Sequence, residues 1–334
     1  MSIPTFNLQE LLHPNRSLTA SFLQCLQTKG IFYLSHSGLL DADHTPARET
    51  CLSFFHHASD TAKQSVTLQD STARRGFSSL GRESTAVVTN TGSFTDYSIC
   101  YSMGVADNLF PSEPFRLLWQ DYFDSMDRTC RQVARVVLEA SGAEDPHGGM
   151  DAFLDRCEPL LRLRYFPDVP PERVAEREPL RMGAHYDLSV ITLIHQTACQ
   201  NGFVSLQCEL DDGRFVDVPT REDTMVVLCG AVGTILSGGT IKAPRHRVTA
   251  PDGDHMQGSS RTSSVFFLRP EGSFRFSVPL AREWGFDVRI PAETATFGDW
   301  LGGNYVNMRV EGGDADDDAP IFTAAPAAAT AAVA

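Results

Sequence analysis

His185 and Asp187 stand two residues apart in the stretch MGAHYDLSVITLIHQ (182–196), at the head of a β-branched run. On an extended strand, residues i and i+2 project to one side, so this imidazole and carboxylate can occupy adjacent corners of a coordination shell. A hydrogen-bonded His–Asp pair at a strand end meets the same spacing. With 10 histidines and 42 acidic residues in the chain, about one His-x-acid pair is expected by chance. His246, in KAPRHRV (242–248), is the second imidazole. Arg261 and Ser263, in GSSRTSSVFFLRP (258–270), share one face of a further strand-like run. Two imidazoles and one carboxylate form the facial set that leaves three positions open on a non-haem Fe(II), enough for a chelating 2-oxo acid and dioxygen. The guanidinium and the hydroxyl suit the distal carboxylate of that acid, one as a fixed two-pronged donor and the other as a third hydrogen bond. Affinity alone does not select iron over copper, nickel or zinc. The open geometry and the co-substrate clamp point to it.

The remaining histidines fit this chemistry poorly. His195 has the parity of His185, but on an unbroken strand the two would lie about 33 Å apart, so a packed or exposed polar position is expected. His56 and His57 are neighbours on an expected helix and cannot present both rings to one face. His255 sits in the polar loop PDGDHMQG without a partner.

The elements that must position these groups change character near residue 158. Before it, helices are expected over 18–30, 41–59 and 112–141, with a short strand, IFYLS, between the first two. The third helix carries the stripe Phe115, Leu118, Trp119, Tyr122, Phe123, Met126, Cys130, Val133 and Val137, closed by Gly142. After it, eight short runs with period two follow, from PLLRLRYF to FRFSV, punctuated by Gly, Pro and Asp. That density predicts a sandwich or jelly roll rather than βαβ units. The expected organisation is one domain over 1–310, with an acidic, Ala/Pro-rich disordered tail over 311–334.

A net charge of −14, with −5 of it in the tail, works against nucleic acid and anionic membranes as partners. No apolar run is long enough to span a bilayer, and the N-terminus lacks a basic region followed by an apolar core, so a cytosolic location is expected. Eight scattered cysteines with no C-x-x-C pair suggest buried thiols rather than disulfides or a thiolate zinc site.

The segments KGIFYL, RRGF, ESTA, CYSMG, NLFP, EPLLRLRYFP, PLRMGAHYDLS, QTAC, NGFVSLQ, KAPRHRV, GSSRTSSVFFLRP and GGNYVNMR resemble, in this order, the 2-oxoglutarate-dependent iron oxygenases related to isopenicillin N synthase. The resemblance covers about residues 3–309 and is strongest to the cephalosporin-forming branch, the deacetoxycephalosporin C synthases (expandases) and the fungal bifunctional expandase/hydroxylases. It implies a mainly β fold with flanking α elements, built on a double-stranded β-helix (jelly-roll) core with N-terminal helices. It implies Fe(II), 2-oxoglutarate and dioxygen as cofactor and co-substrates, and a small β-lactam as substrate. Carried onto matching positions, His185, Asp187 and His246 hold the iron, and Arg261 and Ser263 hold 2-oxoglutarate with Met182 beside them. Thr192, Ile194 and Phe267 line the pocket. Arg74, Arg75, Arg162, Arg164 and Arg269 match basic residues associated with β-lactam recognition, and Asn304 and Asn307 match positions near a C-terminal lid. Leu228 stands where relatives commonly carry Phe beside the substrate, and His195 where some carry Gln. Val310 follows Arg309 where a second arginine often occurs.

The arginines can also be weighed from the residues. Arg162 and Arg164 lie opposite the Leu161/Leu163/Tyr165 face, where two charges are ordinarily a solvated surface. An acidic protein that binds an anionic substrate needs a local positive pocket instead. The implied activity is expansion of the penicillin N ring to deacetoxycephalosporin C, followed by hydroxylation to deacetylcephalosporin C. Two alternatives stay open at this point: a 2-oxoglutarate-dependent hydroxylase of another small acid, and a jelly-roll binding module without turnover.

Overall fold

Alternating side chains on the central strands need two different coverings, and the fold supplies both. The computed structural model describes residues 2–40, 43–67, 75–143, 149–170, 180–251, 253 and 256–308. The expected tail (311–334), Arg74 and His255 lie outside the described residues.

The strands are β1 (Thr5–Asn7), β2 (Ile31–Ser35), β3 (Gly76–Ser78), β4 (Ile99–Gly104), β5 (Leu160–Phe166), β6 (Leu180–His185) and β7 (Ile191–Gln196). They continue with β8 (Leu206–Glu209), β9 (Phe215–Asp217), β10 (Thr224–Cys229), β11 (His246–Thr249), β12 (Arg261–Leu268), β13 (Arg275–Ser277) and β14 (Thr294–Thr296). Eight of them form a large sheet in the order β1-β2-β10-β7-β12-β5-β4-β3, and four form a small sheet in the order β6-β11-β8-β9. The result is a mainly β jelly-roll core with flanking helices, two sheets facing each other without closing into a barrel.

On the outer face of the large sheet, Leu161, Leu163, Leu193, Phe266 and Leu268 join a single buried cluster with Phe115, Trp119, Tyr122, Met126, Val133 and Val137 of the helix Glu113–Ala140. This is the expected stripe. The helix starts where Ser112 accepts a hydrogen bond from the Phe115 N–H, with Pro114 in its first turn. It ends before Gly142, whose φ of 68° suits a residue without Cβ. The inner face packs on the small sheet through Ile31, Tyr33, Ile194, Val226 and Leu228 on one side and Leu206, Cys208 and Val218 on the other.

The first 150 residues are mainly helical, as expected, and IFYLS is β2. They contribute β1 to β4, which flank the central strands of the large sheet, so the helical part shares the one core. One expectation needs correction: the run HYDLSVITLI is not one strand, since β6 ends at His185 and β7 begins at Ile191. The five residues between them turn because their carbonyls are claimed elsewhere. Ala231 N–H donates to Asp187 O (2.9 Å), Val232 N–H to Ser189 O (3.0 Å) and Gly230 N–H to Val190 O (3.1 Å).

All eight cysteines are free and buried, and among the described residues no helix is long and apolar enough to cross a membrane. Phe266 is fully buried and meets Phe123 edge to face with centroids 5.3 Å apart. Phe266→Ala is expected to lower unfolding free energy by about 3–5 kcal/mol, read as a reduced urea midpoint at unchanged m value.

Candidate active site

The small sheet brings the two histidines together. His246 on β11 pairs directly with His185 on β6, and their ring centroids lie 4.3 Å apart. Asp187 sits just past the end of β6, on the turn rather than on the strand, so the i,i+2 same-face argument did not place it. The turn's backbone bonds to residues 230–232 do.

His185 Nδ1 donates to Gly183 O (2.8 Å) and His246 Nδ1 to Pro244 O (3.3 Å), because a carbonyl can only accept. In the neutral ring each Nε2 is then a lone-pair acceptor, and each lies 3.7 Å from Asp187 Oδ1. Burial, then His246, holds His185 below the ordinary histidine range, with Asp187 opposing both. Asp187 Oδ2 is buried without a hydrogen-bond partner. One ligand atom from each of the three residues lies within 4.8 Å of the others. Buried acceptors that converge without donors form an environment completed by a cation, and two imidazoles with a carboxylate fit Fe(II).

The three residues line a cavity of about 390 Å³ between the sheets. Alternation on β12 sends Arg261, Ser263, Val265 and Phe267 into it. Arg261 donates from Nη1 to Ser205 Oγ (2.8 Å) and lies over the Phe166 ring, while its Nε has no partner. Burial, partly opposed by Cys199, lowers its pKa to about 10, so it stays cationic at neutral pH. It is a buried donor in want of an anion.

Met182, Ile194, Arg269 and Asn304 also line the cavity. Arg162 and Arg164 line it from β5, the inward face expected of them, and both are buried. Thr192 and Leu228 pair across β7 and β10 but stand outside the lining. Thr192 bonds Ser189 Oγ at 3.0 Å, and Leu228 belongs to the apolar layer between the sheets. Arg75 is likewise outside the lining and donates to Ala106 O (2.9 Å). Asn307 falls on the helix Phe297–Met308, but its side chain is not among the described residues.

Sequence reasoning overlooked part of the wall. Thr85, Val88 and Thr89, on and after the short helix Thr85–Val88, close one side. That helix approaches β6 closely at Gly183, where a Cβ would stand 3.0 Å from Ala86 Cα. Arg245, beside a proposed ligand, also lines the cavity and pairs with Glu209 at 3.3 Å. Its signal was present in KAPRHRV but indistinguishable from a surface charge.

His195 faces the opposite side of β7, toward the helices. Arg48 Nη1 lies 2.8 Å from its Nε2, and the Tyr122 hydroxyl lies 3.3 Å from its Nδ1. It is a packed polar residue, not a ligand of the site, although the break after β6 removes the distance argument that first set it aside.

A family model described as the 2OG-Fe(II) oxygenase superfamily matches residues 157–270. The chain is 59% identical to the deacetoxycephalosporin C synthase of Amycolatopsis lactamdurans, over 92% of this chain and 97% of that protein. It is 49% identical to the deacetoxycephalosporin C hydroxylase of Streptomyces clavuligerus, over 92% and 96% respectively. Among solved structures, a full-length Neurospora crassa protein in complex with alpha-KG and thymine superimposes with a TM-score of 0.71 at 23% identity. That match covers 91% of this chain and 96% of that one, a likeness of fold.

Burial first, then Arg48, lowers the His195 pKa from 6.5 to about 4. Between these values the unfolded chain binds a proton that the folded chain refuses. This contribution is therefore intact above pH 6.5 and is lost as pH falls toward 4. Denaturant titrations at pH 7 and pH 5 are expected to show a smaller acid-induced loss of stability in His195→Gln than in the parent chain.

Proposed function

Because the chain belongs to the 2OG-Fe(II) oxygenase superfamily, we propose that it uses Fe(II) and 2-oxoglutarate to expand the penicillin N ring to deacetoxycephalosporin C. The observation that carries this reading is the 59% identity to a deacetoxycephalosporin C synthase, spanning nearly the whole of both chains. The overall balance is penicillin N, 2-oxoglutarate and dioxygen giving deacetoxycephalosporin C, succinate, carbon dioxide and water. The 49% identity to a deacetoxycephalosporin C hydroxylase favours a second activity on the product, hydroxylation of its exocyclic methyl group to deacetylcephalosporin C.

In this reading His185, Asp187 and His246 hold the iron, and Arg261 and Ser263 take the distal carboxylate of 2-oxoglutarate. When bound, the iron supplies the oxidising chemistry that couples decarboxylation of the 2-oxo acid to removal of hydrogen from a substrate methyl group. The chain's own residues decide what is oxidised. Met182, Phe166 and Val248 form an apolar patch that keeps water from the Arg261 clamp. Ile194, Val265 and Phe267 wall the space beside it. Arg162 and Arg164 receive the substrate's carboxylate and so fix which carbon is presented. Asn304 is held by its own bond to Trp300 O (2.8 Å) and contributes a polar edge from the C-terminal helix. A binding module without turnover would have no use for converging acceptors beside a buried, unanswered guanidinium.

The test is anaerobic loading with Fe(II) and 2-oxoglutarate, followed by oxygen and a panel of penicillin N, penicillin G and deacetoxycephalosporin C, with products read by mass spectrometry. Ring-expanded product in step with succinate is expected from penicillin N. Succinate without β-lactam conversion would transfer the function to another small acid. Asp187→Ala is expected to abolish succinate formation and to remove the d–d absorption of a Co(II)-loaded sample; unchanged turnover would remove the metal assignment.

A further inference from the structure

Arg162 and Arg164 are not an open pair of positive charges. Glu83, itself buried, lies between them, with Oε1 2.7 Å from Arg162 Nη2 and Oε2 3.1 Å from Arg164 Nη2. The remaining bonds of Arg162 include Ser102 Oγ at 3.0 Å, and Arg164 gives Nη1 to Ser98 Oγ at 2.8 Å. Arg164 also stands 3.9 Å from the buried Asp96 carboxylate through Nη1, and of its five N–H donors Ser98 and Glu83 take two as hydrogen bonds. The others remain for a guest in the cavity that this residue lines.

Glu83 is not needed merely to fasten its own segment. The 83–96 loop is already closed by Asp96 N–H to Glu83 O (2.7 Å) and Ser84 Oγ to Phe94 O (2.7 Å), and by Thr85, which gives both its N–H and its hydroxyl to Asp96. The side chain of Glu83 therefore acts on the arginines. Two guanidinium groups two residues apart on one strand face repel, and burying both unanswered would be costly.

We propose that Glu83 sets the anion specificity of the cavity. Lying between the two guanidinium groups, with Asp96 beside Arg164, it leaves the pair without surplus positive charge, so a carboxylate of the guest is received through directed hydrogen bonds from Arg164. The proposal rests on the β-lactam reading above, which makes the cavity's guest a carboxylic acid.

The experiment is anaerobic calorimetry on the Fe(II)-loaded full chain, titrated with penicillin G and with penicillin G methyl ester, so that affinity is read without turnover. In the parent chain the acid is expected to bind more tightly than the ester. In Glu83→Gln, which keeps shape and loses charge, the acid-over-ester ratio is expected to widen by about tenfold. Parallel weakening of both ligands, or an unchanged ratio, would show Glu83 to be scaffolding and overturn the proposal. Where Glu83→Gln does not fold, Glu83→Asp decides. The charge is kept and the ratio stays within about twofold of the parent, whereas widening there would make geometry the cause and overturn the idea. If the parent chain binds neither ligand, the β-lactam reading itself fails and the proposal falls with it.

Discussion

Strands β5, β7 and β12 sit at the centre of the large sheet and are covered on both sides, which forces each to carry two unlike faces. Their outward residues must suit the helix Glu113–Ala140, so Leu161, Leu163, Leu193 and Phe266 are apolar. Their inward residues face the small sheet and can be polar only where something answers them. Slipping β12 by one residue would send Phe266 into the cavity and drive Arg261 and Ser263 into the helical core. The pairing of Ser263 with Arg164 and of Val265 with Arg162 and Ile194 therefore determines what the cavity can recognise.

Within that cavity, acceptors and donors are sorted rather than mixed. At the small sheet, two Nε2 atoms and the Asp187 carboxylate converge with no donor among them. At β12, Arg261 offers a buried Nε with no acceptor. Either end alone would be a costly burial. Together they describe a space that a cation and an anionic co-substrate complete. The arginines on β5 differ, because the Glu83 carboxylate lies between them and Asp96 stands beside Arg164.

The jelly-roll frame does not itself choose a substrate. The same frame supports a thymine complex in a protein sharing under a quarter of its residues with this one. Choice has to lie in the lining, which the helix Thr85–Val88 and the C-terminal helix complete from outside the sheets. Gly183 permits the first of these to approach β6 while its carbonyl holds the His185 tautomer, so one residue serves both the wall and the metal-side geometry.

Much of this was legible along the chain. Local periodicity is a property of consecutive residues, so the stripe of the long helix, the period-two runs and the inward face shared by Arg261 and Ser263 could be read without knowing any contact. The donor types were legible for the same reason. The break between His185 and Ile191 was not, because the bonds that cause it come from residues some forty positions later. Nor was the N-terminal share of the large sheet, since short strands such as Gly76–Ser78 gain their identity only from a neighbour. Glu83 looked like any acidic residue until folding set it between two arginines about eighty positions away. The sequence alone determined which chemical groups were available and which face of each element they occupied. Tertiary structure alone decided which of them meet, because convergence of charge and lone pairs depends on distances between segments that local spacing does not encode.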